Sequence, residues 1–211
     1  MPLMSDLFAS AGLDAGAPRP LADRLRPRRL SEVVGQEHLT GPDGALTRLL
    51  ASRSLGSLVF WGPPGTGKTT VARLLAHETE LHFEQISAIF SGIADLRKVF
   101  EAARKRRATG QGTLLFVDEI HRFNRSQLDA FLPVMEDGTV TLVGATTENP
   151  SFELNAALLS RARVLLFRAL DATALARLLA RAEEMEGQAL PVDEEARAAL
   201  VRMADGDGRA A

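Results

Sequence analysis

The sequence predicts an α/β fold in which a parallel five-stranded sheet is flanked by helices and followed by the start of a helical appendage. Three observations predict it. A glycine-rich phosphate-binding pattern lies between a short apolar run and a helical segment. Later apolar runs end in polar residues, and the chain after Leu170 becomes rich in Ala, Arg and Glu, which favour helices. Because open α/β sheets bind ligands where parallel strands end, these polar ends predict a nucleotide site.

Composition limits the classes of protein to which the chain can belong. Its 211 residues suit one sizeable domain, or one domain with a small appendage, and a hydrophobic content of 45% supplies a core. A net charge of −2 gives no overall basicity for nucleic acid, although it is compatible with a local basic face. The lack of cysteine excludes disulfides and cysteine–metal sites. Because no signal-peptide core and no apolar run near the ~20 residues of a membrane span is present, we expect no membrane partner.

Two features of the N-terminal region each allow two interpretations. Residues 1–20 are rich in Gly, Ala and Pro and predict a flexible tail. Within this tail, the patch around Leu7-Phe8 fits either a peptide that docks in a partner's groove or a plain disordered start. Further along, Val33-Val34-Gly35 fits either an adenine-binding segment or ordinary core packing.

The phosphate-binding pattern is the most informative stretch. Residues 62–69, GPPGTGKT, fit G-x-x-x-x-G-K-[ST] at every fixed position, between a predicted strand at 58–61 and a predicted helix at 69–80. This order distinguishes the pattern from a chance glycine-rich turn, because the N–H groups of the loop and the helix N-terminus together bind phosphate. Lys68 would reach the β- and γ-phosphates, and the Thr69 hydroxyl would ligate Mg²⁺. The predicted nucleotide-binding residues here are Gly62, Pro63, Pro64, Gly65, Thr66, Gly67, Lys68, Thr69 and Thr70.

A pair of acidic residues forms the second part of the predicted site. Residues 114–117 are an apolar run that predicts a buried strand, and Asp118 and Glu119 follow it directly. A predicted strand at 82–87 and an amphipathic helix at 92–107 separate this run from the phosphate-binding loop. We expect Asp118 to hold Mg²⁺, directly or through water, and Glu119 to polarise a water molecule for in-line attack on the γ-phosphate.

The segment after the acidic pair carries a lone histidine and a predicted helix. His121 has no second histidine at ligand spacing, so we do not expect zinc. Its place beside the expected attacking water fits a coupling role and a structural role equally. The helix is predicted to begin at Ser126, its expected N-cap, and Pro133 should kink or shorten it.

Two more strands are predicted before the appendage. A strand at 140–146 ends in Thr146, Thr147 and further polar residues, which are placed to contact the γ-phosphate or its water. A short helix at 155–160 follows, and the last strand is predicted at 164–167.

Two helices are predicted after the last strand. Asp171 should cap a helix that runs to about Glu186, and a second helix covers 193–204. A helical appendage normally needs a third or fourth helix to close its core. We therefore expect the chain to be a fragment of a longer protein.

These motifs together resemble AAA+ ATPases of the clamp-loader branch, which are P-loop NTPases. More closely, they resemble the replication-associated recombination protein A family, whose eukaryotic relative is the Werner-helicase-interacting protein. The resemblance runs from about Pro20 to the end of the chain and departs from the usual family pattern at Arg125, Leu128 and Val134, where Lys, Gln and His are usual. These departures bear on coupling to DNA rather than on ATP. The stretches that carry the resemblance are PLADRLRP, GQEHLTG, FWGPPGTGKTT, ISAIFSG, LLFVDEIHRFNRSQLDAFLPVMEDG, TLVGATTENPSFELNAALLSRARV and GDGRAA.

The resemblance implies roles for residues that the motifs alone leave open. Thr146 and Thr147 match the sensor 1 position, and Thr147 is favoured. Arg161 matches the arginine finger that acts on ATP in a neighbouring subunit, with Arg163 as the alternative; each also fits a structural ion pair. Arg209 matches the sensor 2 arginine of the lid. The resemblance also favours adenine contacts by Val34 and Gly35.

The resemblance further implies an organisation and a function. It implies a nucleotide-binding domain over 21–169 and a truncated helical lid over 170–211, without the family's C-terminal oligomerisation region. It implies a DNA-dependent ATPase that uses ATP and Mg²⁺ at stalled replication forks, in the cytoplasm at the nucleoid. Expected partners are DNA with single-strand/duplex junctions, copies of the same chain in a tetramer, and either a single-strand-binding protein or a sliding clamp. Because the finger acts between subunits, this fragment alone should bind ATP but hydrolyse it poorly.

Three other functions fit the same motifs. Two are motors or loaders of the same class, namely a clamp-loader subunit and a Holliday-junction branch-migration motor. The third is a recruitment module in which ATP binding only sets conformation. The presence of Glu119 argues against the third, because a pure switch has no need of an acid that activates water.

Overall fold

A single parallel sheet organises the structure, a computed structural model that describes residues 21–210. Its strands are β1 Ser57–Trp61, β2 His82–Ser87, β3 Thr113–Asp118, β4 Thr141–Thr146 and β5 Ala162–Leu166. They lie in the order β2-β3-β4-β1-β5, and every pairing is parallel. The predicted five-stranded parallel sheet is thus confirmed. The predicted flexible tail 1–20, with Leu7-Phe8, lies outside the described residues.

Helices cover the sheet and continue after it. They are α1 Leu21–Arg24, α2 Glu37–Thr40, α3 Ala45–Ala51, α4 Lys68–Glu78, α5 Ile93–Ala108, α6 Arg125–Asp129, α7 Phe131–Glu136, α8 Pro150–Glu153, α9 Ala156–Leu159, α10 Ala172–Glu186 and α11 Glu194–Met203. No helix among residues 21–210 is long and apolar enough to cross a membrane.

The central strands are buried on both faces because helices pack against each side of the sheet. Successive residues of β3 point to opposite faces, so Phe116 packs with α3 and α4 while Leu115 packs with α5, α6, α7 and α9. The edge strands β2 and β5 are only partly buried. The long apolar runs of the sequence therefore correspond to β1, β3 and β4, where both faces need apolar side chains.

The structure corrects the predicted start of the helix after the acidic pair. Ser126 is not the N-cap. Asn124 is extended and caps α6: its Oδ1 accepts the Gln127 N–H at 3.0 Å, and its own N–H donates to Gln127 Oε1 at 3.0 Å. The predicted effect of Pro133 is confirmed, because α6 ends at Asp129. In a continuous helix the N–H of residue 133 would donate to the Asp129 carbonyl, and proline has no N–H.

The two predicted helices after the sheet are confirmed, and both have aspartate caps. Asp171 Oδ1 accepts the Ala174 N–H at 2.7 Å at the start of α10, and Asp193 Oδ1 accepts the Ala196 N–H at 2.7 Å at the start of α11. At its other end α10 stops at Gly187, which has a φ of 68°. We call residues 170–210 the lid. Its start is tied to its end, because the Leu170 N–H donates to the Gly206 carbonyl at 3.1 Å.

Candidate nucleotide-binding site

The phosphate-binding loop joins β1 to α4 at the C-terminal edge of the sheet. Gly67 is the N-cap of α4 with a φ of 93°, a left-handed conformation that glycine adopts without steric cost. The Thr66 hydroxyl is buried and donates to the Pro63 carbonyl at 2.9 Å, which closes the loop on itself. The Gly62 N–H donates to the Thr146 carbonyl at 3.1 Å, so the loop is also fastened to the end of β4. The predicted run from Gly62 to Thr70 thus forms the loop after β1 and the first turn of α4.

Lys68 bends back over this loop. Its Nζ donates to the Gly62 carbonyl at 2.7 Å and to the Pro63 carbonyl at 2.6 Å. Burial lowers the pKa of Lys68; the carboxylates of Glu119 and Asp118 act in the opposite direction, and Arg209 adds to the lowering. The ammonium therefore lies in the field of both predicted acids, where a phosphate could replace its two carbonyl partners.

The two acids lie where β3 ends, at the same edge of the sheet: Asp118 is its last residue and Glu119 follows it. Asp118 ends the strand opposite Ser87 of β2, and its carbonyl accepts the Ala88 N–H at 2.9 Å. Glu119 has a φ of 53° and a ψ of 44°, a left-handed conformation that is uncommon for a residue with a side chain. Such backbone strain concentrates at functional sites, where the surrounding structure enforces it.

The residues near the loop fit Mg²⁺ that arrives with a nucleotide. Thr69 lies in the first turn of α4, and Asp118 is the last residue of β3, at the same end of the parallel sheet. Residues 21–210 contain no group of three or more His, Asp or Glu side chains arranged to hold a metal. One hydroxyl and one carboxylate suit Mg²⁺, which usually takes its other ligands from water and substrate phosphates.

The end of β4 carries the two predicted threonines in different surroundings. Thr146 is buried, and its hydroxyl accepts the Glu148 N–H at 3.0 Å and lies 2.9 Å from His121 Nδ1. Thr147, the favoured sensor 1 residue, follows the strand and is half-buried. The Thr146 hydroxyl is therefore committed to neighbouring protein groups, whereas Thr147 is the more accessible of the two.

The predicted adenine-binding segment packs between the sheet and the lid. Val33 is buried in the core beside α3 and α4, as the packing interpretation predicts. Val34 packs against the lid cluster around Leu170. Gly35 has a φ of 77°, and a Cβ there would lie 2.5 Å from Leu170 Cδ2, so only glycine lets the segment approach the lid this closely.

Gln36 is a site residue that sequence reasoning missed. It is fully buried, its Nε2 donates to the Arg168 carbonyl at 2.7 Å, and its Oε1 accepts the Arg168 N–H at 3.1 Å. Nε2 also lies 3.5 Å from the Thr66 carbonyl of the loop. Gln36 therefore joins the N-terminal segment, the chain after β5 and the phosphate-binding loop. The available signal was a polar residue directly after the apolar stretch Val33-Val34-Gly35.

The lid reaches the loop through the turn formed by Asp207, Gly208 and Arg209. The Gly208 N–H donates to the Gly65 carbonyl at 3.2 Å, and Asp207 Oδ1 accepts the Arg209 N–H at 2.8 Å. Gly65 has a φ of 66°, and a Cβ there would overlap the Asp207 carboxylate. The structure thus brings Arg209, the predicted sensor 2, to the loop, together with Asp207, which sequence reasoning did not single out.

Arg161 lies at the N-terminal ends of the strands, whereas the phosphate-binding loop of the same chain lies at their C-terminal ends. It precedes β5, whose first residue, Ala162, pairs with Ser57 at the start of β1. The loop follows the far end of β1, about 13 Å away along a strand of this length. Arg161 Nε donates to Glu136 Oε1 at 2.7 Å, and its Nη1 donates to the Ala157 carbonyl at 2.8 Å. Arg163, the alternative finger, is the second residue of β5 and pairs with Leu58.

This fold and this edge of the sheet define a P-loop nucleotide-binding protein, with a basic loop lysine and two acids converging where the strands end. A profile of the ATPase family associated with various cellular activities (AAA) matches residues 58–170. The chain belongs to this AAA family of ATPases.

Curated relatives confirm the resemblance that the motifs predicted. The chain is 48% identical over 198 residues to replication-associated recombination protein A of Escherichia coli K12, an alignment that covers 92% of the chain and 44% of that protein. It is 50% identical over 195 residues to the protein of the same name from Coxiella burnetii, covering 90% of the chain and 44% of that protein. ATPase WRNIP1 of Dictyostelium discoideum is 43% identical, covering 91% of the chain and 22% of that protein. The chain thus spans less than half the length of these relatives.

Solved structures confirm the fold class. RuvB of Thermotoga maritima, described as a Holliday junction branch migration motor, superposes with a TM-score of 0.70 at 28% identity, covering 88% of the chain and 62% of RuvB. A single-residue variant of the same RuvB gives a TM-score of 0.71 at 27% identity, covering 88% of the chain and 62% of that protein.

Proposed function

We propose that the chain is the ATPase part of a DNA-dependent AAA+ protein that acts at stalled replication forks and in recombination. The observation that carries the proposal is the convergence of Lys68, Asp118 and Glu119 at one edge of the sheet, beside the phosphate-binding loop. The relatives named for replication-associated recombination support the cellular role. The proposal includes a cytoplasmic location, at the nucleoid.

The proposed reaction transfers the γ-phosphoryl group of ATP to water, giving ADP and phosphate. Lys68 would bind the β- and γ-phosphates, while Thr69 and Asp118 would hold Mg²⁺, which neutralises charge on the phosphates. Glu119 would orient the attacking water and take its proton as the new P–O bond forms and the bond to ADP breaks. Thr147 and Arg209 would contact the γ-phosphate, and Val34 and Gly35 would line the adenine.

We propose that Arg161 completes the site of a neighbouring subunit. Because it lies at the N-terminal ends of the strands, Arg161 cannot contact a nucleotide bound at the loop of its own chain. A finger at this position therefore requires a second copy of the chain. In that assembly the ion pair between Arg161 and Glu136 would either break, to free the guanidinium, or remain and hold the guanidinium in place. Arginine fingers in other NTPases change the rate by about 10³–10⁵-fold, so a monomer should be nearly inactive. We propose a tetramer as the working assembly.

DNA recognition in this proposal depends on structure rather than on base sequence. The sequence contains no motif that reads base edges, so junctions between single-stranded and duplex DNA are the proposed substrate class. A single-strand-binding protein or a sliding clamp is proposed as an additional partner through Leu7-Phe8, which lies outside the described residues.

A second candidate function is branch migration of DNA junctions. The structural likeness to RuvB, a branch migration motor, favours it. The two candidates predict different assemblies, because a motor that encircles duplex DNA would be a hexamer. The mass of the assembled protein in solution distinguishes a hexamer from the proposed tetramer.

The test is ATP hydrolysis by the protein expressed from its complete gene, with and without DNA that carries a single-strand/duplex junction. We expect the junction to stimulate turnover, Lys68→Ala to abolish it, and Arg161→Ala to lower it by about 10³-fold or more. Arg163→Ala is the matched control, and a loss confined to that variant would assign the finger to Arg163. Turnover that is indifferent to DNA would contradict the fork-directed proposal, and vigorous turnover by a verified monomer would contradict a finger in trans.

A further inference from the structure

A buried histidine links the proposed water-activating acid to the end of β4. We propose that His121 is a positioning residue: its Nδ1–H holds the Glu119 carboxylate and ties it to the Thr146 hydroxyl. This inference rests on the proposed ATPase function, for which Glu119 is the acid that activates water. The motifs alone left open whether His121 couples the site to other parts of the protein or is merely structural.

The contacts are short and shielded from solvent. His121 Nδ1 lies 3.3 Å from Glu119 Oε2 and 2.9 Å from Thr146 Oγ1. The His121 side chain is 6% exposed and that of Glu119 is 30% exposed. The imidazole is thus enclosed by protein, while the carboxylate that it contacts still opens to the site where a water molecule would enter.

The neighbours of Nδ1 decide which ring nitrogen carries the proton. A carboxylate oxygen cannot donate a hydrogen bond, so a contact with Glu119 requires a proton on Nδ1. The Thr146 hydroxyl accepts the Glu148 N–H at 3.0 Å and lies 3.2 Å from the Glu148 carbonyl, to which it can donate its own proton. With Nδ1 protonated, its one hydrogen faces two acceptors, Thr146 Oγ1 at 2.9 Å and Glu119 Oε2 at 3.3 Å. With Nδ1 unprotonated, its lone pair would face the carboxylate without a hydrogen between them.

The Glu119 backbone explains why this side chain needs external support. Its φ of 53° follows directly on the last residue of β3, so the strand no longer fixes the direction of the side chain. A carboxylate that must orient water gains from fixed geometry, since a displacement of 1 Å can cost about 10²-fold in rate. The 3.3 Å contact between Oε2 and a protonated Nδ1 restricts the carboxylate and leaves Oε1 for water.

The same contacts give the phosphate-binding loop a route to the acid. The Gly62 N–H donates to the Thr146 carbonyl at 3.1 Å, and the Thr146 hydroxyl contacts His121, which contacts Glu119. A shift of the loop when phosphate replaces the carbonyl partners of Lys68 would therefore reach Glu119 through two side chains.

Another histidine–glutamate contact supplies a matched control. His82 Nε2 lies 3.4 Å from Glu84 Oε2. Both residues lie in β2, which begins at His82 and reaches the site only at its other end, at Ser87. The His82 side chain is 38% exposed. His82→Ala removes an imidazole beside a glutamate, as His121→Ala does, but at a position away from the site. We therefore expect His82→Ala to leave turnover unchanged.

The kinetic test uses the protein expressed from its complete gene, with junction DNA, and compares three substitutions at position 121. Asn places an amide N–H where Nδ1–H lies, whereas Gln places it where Nε2 lies. We expect His121→Ala and His121→Gln to lower kcat by about 10–100-fold with little change in the affinity for a fluorescent ATP analogue. His121→Asn should restore most of kcat. Equal kcat in wild type and His121→Ala would overturn the proposal, as would equal losses in the Asn and Gln variants.

A spectroscopic test needs no turnover and so separates this inference from the proposed function. In protein labelled with ¹⁵N-histidine, the signal that is absent from His121→Asn identifies His121 among the histidine signals. We expect its Nδ1 shift to be that of a protonated ring nitrogen and to change in Glu119→Gln. An unprotonated Nδ1 overturns the inference whatever the kinetics show. Wild-type protein without turnover overturns the proposed function, and the tautomer still reports whether the contact exists.

Discussion

The α/β body, residues 21–169, and the lid are stabilised by different interactions. The body buries two large apolar clusters, one on each face of the sheet, that include fully buried side chains such as Phe60, Phe116, Phe131 and Leu142. The buried apolar residues of the lid are fewer and smaller: Leu170, Ala174, Leu175, Leu179, Ala182 and Ala204. None of the residues of α11 is buried.

Three charged pairs at the surface connect the lid to the body. Arg24 Nη1 lies 2.6 Å from Glu186 Oε1, Arg177 Nη1 lies 3.2 Å from Glu37 Oε1, and Arg181 Nη2 lies 3.2 Å from Glu32 Oε2. Within the lid, Arg197 of α11 is paired with Glu183 of α10. Exposed pairs of this kind contribute about 0–1 kcal/mol each.

The difference assigns separate tasks to the two regions. The packed sheet fixes the backbone positions from which Lys68, Asp118 and Glu119 extend. The lid, which brings Arg209 to the loop through one backbone hydrogen bond, has few buried contacts to lose when it opens. We therefore expect the lid to open at a lower free energy than the body unfolds, as regions that respond to ligands often do.

Identical leucine truncations in the two regions should have the most unequal effects. Leu142 in β4 is fully buried, whereas Leu200 in α11 is 37% exposed. We expect Leu142→Ala to lower the free energy of unfolding by about 2–5 kcal/mol, because it leaves a cavity in the sheet. Leu200→Ala should cost less than about 1 kcal/mol. Urea denaturation measures both, and equal losses would contradict the division into a strongly packed body and a weakly packed lid.

The contact between lid and loop should be sensitive to one methyl group. Gly65 and Gly187 have φ values of 66° and 68°, so alanine suffers the same backbone strain at both. A Cβ added at Gly65 would overlap the Asp207 carboxylate. A Cβ added at Gly187 would have no atom within 4 Å. We expect Gly65→Ala to lower the free energy of unfolding by about 1–3 kcal/mol more than Gly187→Ala, because the lid turn must shift.

Affinity for a fluorescent ATP analogue provides a second measurement of the same pair. Gly65→Ala should weaken binding, since it displaces Arg209 and distorts the loop, while Gly187→Ala should bind as the wild type does. Equal stability losses and equal affinities in the two variants would show that the lid turn does not rest on the loop.

Sequence reasoning identified the body well because its elements carry strong local patterns. The apolar runs that became β1, β3 and β4 are long enough to be recognised, since strands buried on both faces need no polar alternation. The phosphate-binding loop and the acids after β3 were recognisable because their chemistry fixes residue types at fixed spacing. The helix start at Asn124 was placed wrongly at Ser126, since both residues are good caps and only the bond to Gln127 decides between them.

The contacts made by the lid and by polar residues in the core could not be predicted in this way. Gln36 lies 132 positions from Arg168, and Asp207 meets Gly65 from the far end of the chain, so no local pattern links either pair. The network of His121 depends on the strained backbone of Glu119 and on the end of a neighbouring strand, neither of which a motif encodes.

The smallest expected effect concerns the pH dependence of lid attachment. The N–H of Arg28 donates to Glu32, and this bond, with the help of Arg181 of α10, lowers the pKa of Glu32 below the ordinary 4.5. Because the charged form is favoured in the folded state, its contribution is complete above that ordinary value and is lost as pH falls through the lowered pKa. Both side chains are partly exposed, so we expect it to be below about 1 kcal/mol.

Urea denaturation of wild type and Glu32→Gln between pH 7 and pH 3 tests this expectation. The difference in the free energy of unfolding between the two proteins should be present at neutral pH and shrink in acid, where the wild-type carboxyl becomes neutral like the amide. Glu101→Gln, an exposed position on α5, is the control and should change the free energy by less than about 0.5 kcal/mol. A Glu32→Gln difference that stays constant down to pH 3 would mean that the charge of Glu32, which both Arg28 and Arg181 favour, contributes nothing to the stability of the folded state.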